Sequence, residues 1–313
     1  MQRPDVLVLG AGGTIGAAWM GGVLAGIADR TGIDFAACEH VVGTSAGSMV
    51  AADLIAGVEP RAAAPSPAGN GTGATGADEH AAEAALLVLE AGARAPETGG
   101  DERMRRRAAR LGAGIAGAAG ASLAPLALSL GRAPGALVRA AALARIEQPR
   151  RTLDDLGARI ARHGLRWDGR LRVATVDRAS GRRVVFGAPG APHASIAEAV
   201  QASCSIPGFY RPVRIGEAEY VDGAVWSPTN MDAAPAGRET HLLCLAPMAA
   251  RLGPRERHPA VRAATAAALR IETLALERRG ALVTVVVPEA AAPDEHARAV
   301  GFRQGRALAA RSQ

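Results

Sequence analysis

His40-Val41-Val42-Gly43-Thr44-Ser45-Ala46-Gly47-Ser48-Met49-Val50-Ala51 is the stretch on which the fold turns. Ser45 stands between two glycines, two places from each, in the pattern of a nucleophile elbow. Such an elbow is a sharp strand-to-helix turn with the serine at its tip, where neighbouring side chains must be absent. The context matches: Glu39–Val42 offers a short strand, and Ser48 to Ile55 reads as the start of a buried helix. A plain helix start capped by Ser45 or Ser48 would have the same composition.

A second strand-turn-helix opens the chain. Val6-Leu7-Val8-Leu9 is a continuous apolar run suited to a buried parallel strand. It leads into Gly10-Ala11-Gly12-Gly13-Thr14-Ile15-Gly16 and then an apolar helix from Ala17 to Ala28. Backbone N–H groups at such a turn attract negative charge, either a dinucleotide pyrophosphate or the oxyanion of acyl transfer. The dinucleotide fingerprint needs glycine at the first, third and sixth places. Counting from Gly10, the sixth place is Ile15, so the oxyanion reading fits better and an NAD-dependent enzyme fits worse.

Three blocks together resemble the patatin-like phospholipases, serine acyl hydrolases that use a Ser–Asp dyad without histidine. They are Leu9 to Gly16, Gly43 to Gly47, and the long run from Ala202-Ser203-Cys204-Ser205-Ile206-Pro207-Gly208 to Asp222-Gly223-Ala224 and Ser227-Pro228-Thr229-Asn230. The resemblance covers roughly residues 4–56 and 170–290. It implies an α/β fold, a three-layer sandwich with a mainly parallel central sheet and a helical insertion. It also implies Ser45 as nucleophile, Asp222 as base, and Gly12 and Gly13 as oxyanion donors. Gly10, Gly16, Gly43, Gly47 and Gly223 are the motif glycines, the substrate is a lipid ester, and no metal or cofactor is implied. The family's loop usually reads three glycines, any residue, a basic residue and glycine. Here Ala11 replaces the first glycine and Ile15 the base. That departure motivates a second reading, a lipid- or nucleotide-binding protein of the same fold that has lost turnover.

A buried carboxylate can take the serine proton directly when an apolar setting raises its pKa. Asp222-Gly223 read alone is a turn signal. The order Ser, acid, His of an α/β-hydrolase triad is met by Ser45, Asp222 and one of His241, His258 or His296. Only about forty residues precede Ser45, however, too few for the strands such a fold builds first. His258 lies among Arg255, Arg257 and Arg262, a solvated setting.

All 36 basic residues are arginine, which accounts for a pI near 10.3 beside a net charge of +6. Without aromatic interleaving, zinc spacing or a basic helix, this charge does not indicate nucleic-acid binding. Aromatics are 3% of the chain, so alanine- and glycine-rich helices are expected to pack closely on small side chains. Cys38, Cys204 and Cys244 are widely spaced and apolar in context, the usage of packing residues in a reduced cytosolic interior. No signal peptide is read at the start.

We expect a single domain over 1–313, with 57–150 forming a linker and a helical cap. Residues 57–78 are rich in Pro, Gly, Ala, Ser and Thr. A helix is expected over Glu79–Ala93, within a cap spanning 79–148. Arg103 to Arg110 then precede an uncharged stretch of 21 residues, Leu111 to Gly131, which contains five glycines and Pro125. That segment, 103–131, is expected to touch a membrane surface peripherally through Arg105, Arg106 and Arg107 rather than to span it; a helical hairpin packed on the core is the other reading. In the C-terminal half, strands are expected at 171–176, 183–186, 240–246 and 282–287. Helices are expected at 196–202, 260–279 and 294–311. Tyr220 and Trp226, flanking Asp222, are candidates for an acyl pocket or for core packing.

Overall fold

A computed structural model of the chain describes residues 1–60, 132–249, 259–289 and 296–311. The expected linker from 61 onward, the Glu79–Ala93 helix and the 103–131 segment lie outside them. The described helices are α1 (Gly13–Thr31), α2 (Ala46–Ile55), α3 (Arg132–Arg145), α4 (Asp154–Ala161), α5 (Ile196–Ser203), α6 (Pro259–Glu277) and α7 (Ala297–Arg311). The strands are β1 (Val6–Leu9), β2 (His40–Thr44), β3 (Leu171–Asp177), β4 (Arg183–Phe186), β5 (Val213–Ile215), β6 (Ala218–Asp222), β7 (His241–Leu245) and β8 (Leu282–Val286).

The sheet runs β5-β6-β3-β2-β1-β7-β8, with β4 also on β3. β1, β2, β3, β7 and β8 are parallel, the outcome expected of apolar runs alternating with helices. Alternate side chains feed two layers. Leu7, Leu9, Val41, Leu243 and Leu245 join Trp19, Val23 and Ile27 of α1 and Ala51 of α2 on one face. Val6, Val8, Val42, Leu242 and Cys244 join Met231 and Leu269 and Leu276 of α6 on the other. The chain is thus a three-layer α/β sandwich. Among the described residues no helix is long and apolar enough to cross a membrane.

Close packing on small residues is clearest between α1 and α7. A Cβ added at Gly22 or Gly26 would lie 2.1 Å from the carbonyl oxygen of Arg298 or Phe302. Reciprocally, one at Gly301 or Gly305 would lie 2.3 or 2.2 Å from that of Trp19 or Val23. The two helices therefore meet backbone to backbone. Gly26→Ala should force them apart and cost about 3 kcal/mol, read as a lower urea midpoint at unchanged m-value.

Two elements were not legible beforehand. The β5–β6 hairpin is two short strands around Gly216, with no apolar run long enough to announce it. Helix α4 buries little besides Gly157 and Ile160. Of the expected cap, α3 is described. It is pinned by Arg139, which is 2% exposed, donates from Nε to Gly181 O at 2.9 Å and lies 4.0 Å over the Trp226 ring.

Candidate active site

β3 brings the two halves of the site together. Along one edge it pairs with β4 over 173–176. Along the other it pairs first with β2, Thr44 opposite Ala174, and then with β6, Asp222 opposite Thr175. Consecutive residues of one strand thus face the end of β2, beside Ser45, and the end of β6, at Asp222. Gly223 makes this possible, since a Cβ there would sit 2.3 Å from Ala174 O.

Ser45 follows β2 with φ 52 and ψ −124, backbone that L-residues avoid, and such strain costs on the order of 1–3 kcal/mol. Three anchors hold it. Its N–H donates to Ser203 Oγ at 2.9 Å, and Ser203 in turn donates to Ala174 O at 2.7 Å. Ser48 Oγ donates to Ser45 O at 2.7 Å. Finally, α2 packs directly on β1, where a Cβ at Gly47 would lie 1.9 Å from Leu9 O. Gly43 is equally crowded, its would-be Cβ 2.5 Å from Ser48 Cα.

Ser45 occupies the N-cap position of α2 but makes no side-chain cap bond. Its hydroxyl instead donates to Asp222 Oδ2 at 2.7 Å. Asp222 is 1% exposed, and its other oxygen accepts from Ala224 N at 2.8 Å. Burial pushes the carboxyl up to about 7, against the opposing effect of those two hydrogen bonds. The direct serine-to-carboxylate bond fills the place where a triad would insert an imidazole. Cys204 Sγ lies 3.9 Å from Ser48 Oγ, and burial raises its thiol far above neutrality, so it stays protonated.

The glycine turn lies beside the elbow because Leu9 pairs with Gly43. Gly10 N donates to Leu245 O at 2.9 Å and Ala11 N to Pro228 O at 2.7 Å. Gly12 is the N-cap of α1, whose first intrahelical bond runs from Gly16 N to Gly12 O. The N–H groups of Gly12 and Gly13 therefore belong to the turn that a helix leaves without intrahelical acceptors. Pro247 packs over this turn, its Cβ 2.6 Å from where a Gly12 Cβ would be and 3.1 Å from that of Gly16. Ile15, in the family's basic position, packs half-buried against the main apolar cluster.

Tyr220 is a core residue: it is buried and meets Phe186 edge to face at 5.1 Å. Trp226 is half-buried, with the guanidinium groups of Arg139 and Arg183 4.0 and 5.3 Å from its ring centre. Three contributors carried no assigned role in the sequence reading: Ser203, Asn230 and Glu272. Glu272 did leave a signal. It stands on the buried stripe of α6 with Thr265, Leu269 and Leu276, a lone acid on an apolar face.

The sequence profile of the patatin-like phospholipases matches residues 7–235. Among solved structures, VipD from Legionella pneumophila aligns at 18% identity with a TM-score of 0.44. That alignment covers 99% of this chain and 66% of VipD, so the chain spans just under two thirds of VipD's length. No curated protein matches the sequence significantly. Because the family profile takes in well over half of the chain, the protein belongs to the patatin-like phospholipases, a family of lipid acyl hydrolases.

Proposed function

We propose that the protein hydrolyses the carboxylic ester bonds of lipids through Ser45 and Asp222, as a phospholipase A or esterase. The observation that carries this reading is the 2.7 Å hydrogen bond from a strained, elbow-borne serine to a buried carboxylate. Ser45 Oγ attacks the ester carbonyl carbon while its proton passes to Asp222 Oδ2. The carbonyl oxygen becomes an oxyanion that accepts from the N–H groups of Gly12 and Gly13. Collapse breaks the ester C–O bond, and the leaving alkoxide takes the proton back from Asp222. Water, deprotonated by Asp222, then attacks the acyl-serine, releasing the fatty acid and restoring Ser45. A carboxyl poised near 7 suits both directions of transfer at neutral pH. The N-terminal dipole of α2, directly behind Ser45, favours negative charge developing there.

We further propose that the segment 57–150, an insertion into a single domain, contacts lipid. Arg105, Arg106 and Arg107 would meet anionic head groups, ahead of the uncharged stretch to Gly131. Further along the same insertion, Leu137 and Val138 of α3 stand 71% and 65% exposed. These features agree with peripheral attachment of a cytoplasmic protein.

The test is covalent labelling of the purified protein by a fluorophosphonate, alongside fatty-acid release from phosphatidylcholine and phosphatidylglycerol vesicles. Labelling together with release is expected. Vesicle binding with neither labelling nor release would overturn the hydrolase in favour of the non-catalytic lipid-binding reading that the altered loop at Ala11 and Ile15 motivates.

A further inference from the structure

The turn after Asp222 touches all three working parts of the site. Pro228 O accepts from Ala11 N of the glycine turn at 2.7 Å. Asn230 Nδ2 donates to Thr44 Oγ1 at 3.2 Å and to Gly223 O at 3.1 Å, the residues next to Ser45 and Asp222. Thr44 Oγ1 donates to Thr229 O at 3.3 Å. Asn230 is itself held at φ 48, with Ser227 Oγ accepting from its N–H at 3.2 Å and Arg183 Nη1 donating to its Oδ1 at 3.3 Å.

The turn is also gripped from the opposite layer of the sandwich. Glu272 reaches it from α6, in the opposite layer from α1 and α2. Its Oε2 accepts from Thr229 Oγ1 at 2.5 Å and from Met231 N at 2.9 Å, bracketing Asn230. Both bonds are buried, and a buried carboxyl oxygen that accepts from a hydroxyl and a backbone amide together is a stiff anchor. Glu272 also lies outside residues 7–235, the span of the family match.

We propose that Glu272 is a positioning residue for the reaction: by clamping Thr229 and Met231 it sets Asn230, which holds the Ser45 and Asp222 loops in register. It touches neither reacting atom and acts wholly through the Ser227–Met231 turn. The inference rests on the dyad reading. A displacement of about 1 Å at a reacting pair can cost on the order of 10²-fold in rate, so a remote anchor can govern turnover.

The experiment compares wild type, Ser45→Ala, Glu272→Ala, Glu272→Gln and Leu276→Ala. The readouts are fluorophosphonate labelling rate per folded molecule, kcat and KM on a soluble p-nitrophenyl ester, and thermal melting. Glu272→Ala should lower kcat and labelling rate by about 10–10²-fold, with KM moving far less. Glu272→Gln keeps a carbonyl acceptor for both donors and should recover most of that loss. Leu276→Ala opens a cavity on the same helix, in the core cluster that also holds Met231, but removes no hydrogen bond to the turn, so it should lower the melting temperature yet label at the wild-type rate. Wild-type labelling by Glu272→Ala overturns the proposal, and so does an equal loss of rate in Glu272→Ala and Leu276→Ala. An unlabelled wild type, or a Ser45→Ala that labels equally, overturns the dyad reading and the proposal with it.

Discussion

Ser45→Ala should lower ester hydrolysis by about 10⁴-fold or more and abolish fluorophosphonate labelling, because it removes the hydroxyl proposed to form the acyl intermediate. Cys204 cannot substitute: burial keeps its thiol protonated. Ser45→Gly should be equally inactive yet more stable than Ser45→Ala. The backbone at this position has φ 52, which an L-residue occupies at a cost and glycine does not. The difference should be on the order of 1 kcal/mol in urea unfolding, the stored strain of the elbow expressed as stability. Equal stability of the two variants would mean that the anchors at Ser203 and Ser48 do not hold a strained turn.

Asp222→Asn should lower turnover by on the order of 10³-fold, since the isosteric amide keeps the packing but accepts no proton. The pH dependence carries the sign. With the carboxyl pushed up to about 7, wild-type kcat/KM should rise with pH to a plateau above neutrality, as Asp222 ionises. Stability should run the other way. Asp222 holds its proton more tightly in the folded chain than its ordinary value of 3.8 allows in the unfolded one. The folded state therefore binds more protons between about pH 4 and 7, and the stability this contributes below pH 4 is lost as pH rises to 7. Asp222→Asn removes that share of the slope and should unfold at a higher temperature than wild type at pH 8. Glu272, also pushed up to about 7 by burial and by the nearby charge of Asp232, contributes in the same direction and leaves a residual slope in the variant. Thermal melts at pH 5 and pH 8 on both proteins measure this directly.

How much of this was legible beforehand follows from what each residue depends on. Val6–Leu9, His40–Thr44, Leu171–Asp177 and His241–Leu245 are apolar runs bounded by glycine, alanine or charge, so their strand character is a local property. The elbow is local in part: Gly43 is crowded by Ser48 of the same turn, whereas the glycine at 47 is required by the close approach of Leu9 on β1. The order of the blocks along the chain then singled out Ser45 and Asp222. The β5–β6 hairpin was not legible, because its pairing with β3 forms across more than forty residues and its own strands are short. Nor was the function of Glu272, an acid whose partners lie more than forty residues away.

The strand and helix signals of a layered α/β fold and the elbow at Ser45 thus follow from side-chain size and polarity along short stretches, whereas the candidacy of Asp222 follows from its place in the motif blocks that resemble the family. That Asp222 meets Ser45 at 2.7 Å, in a setting that raises its pKa, comes from the packing of remote segments. Both the distance and the burial come from β3, which pairs with Thr44 and Asp222 through consecutive residues, and strand pairing and desolvation are set by contacts between segments remote in the chain.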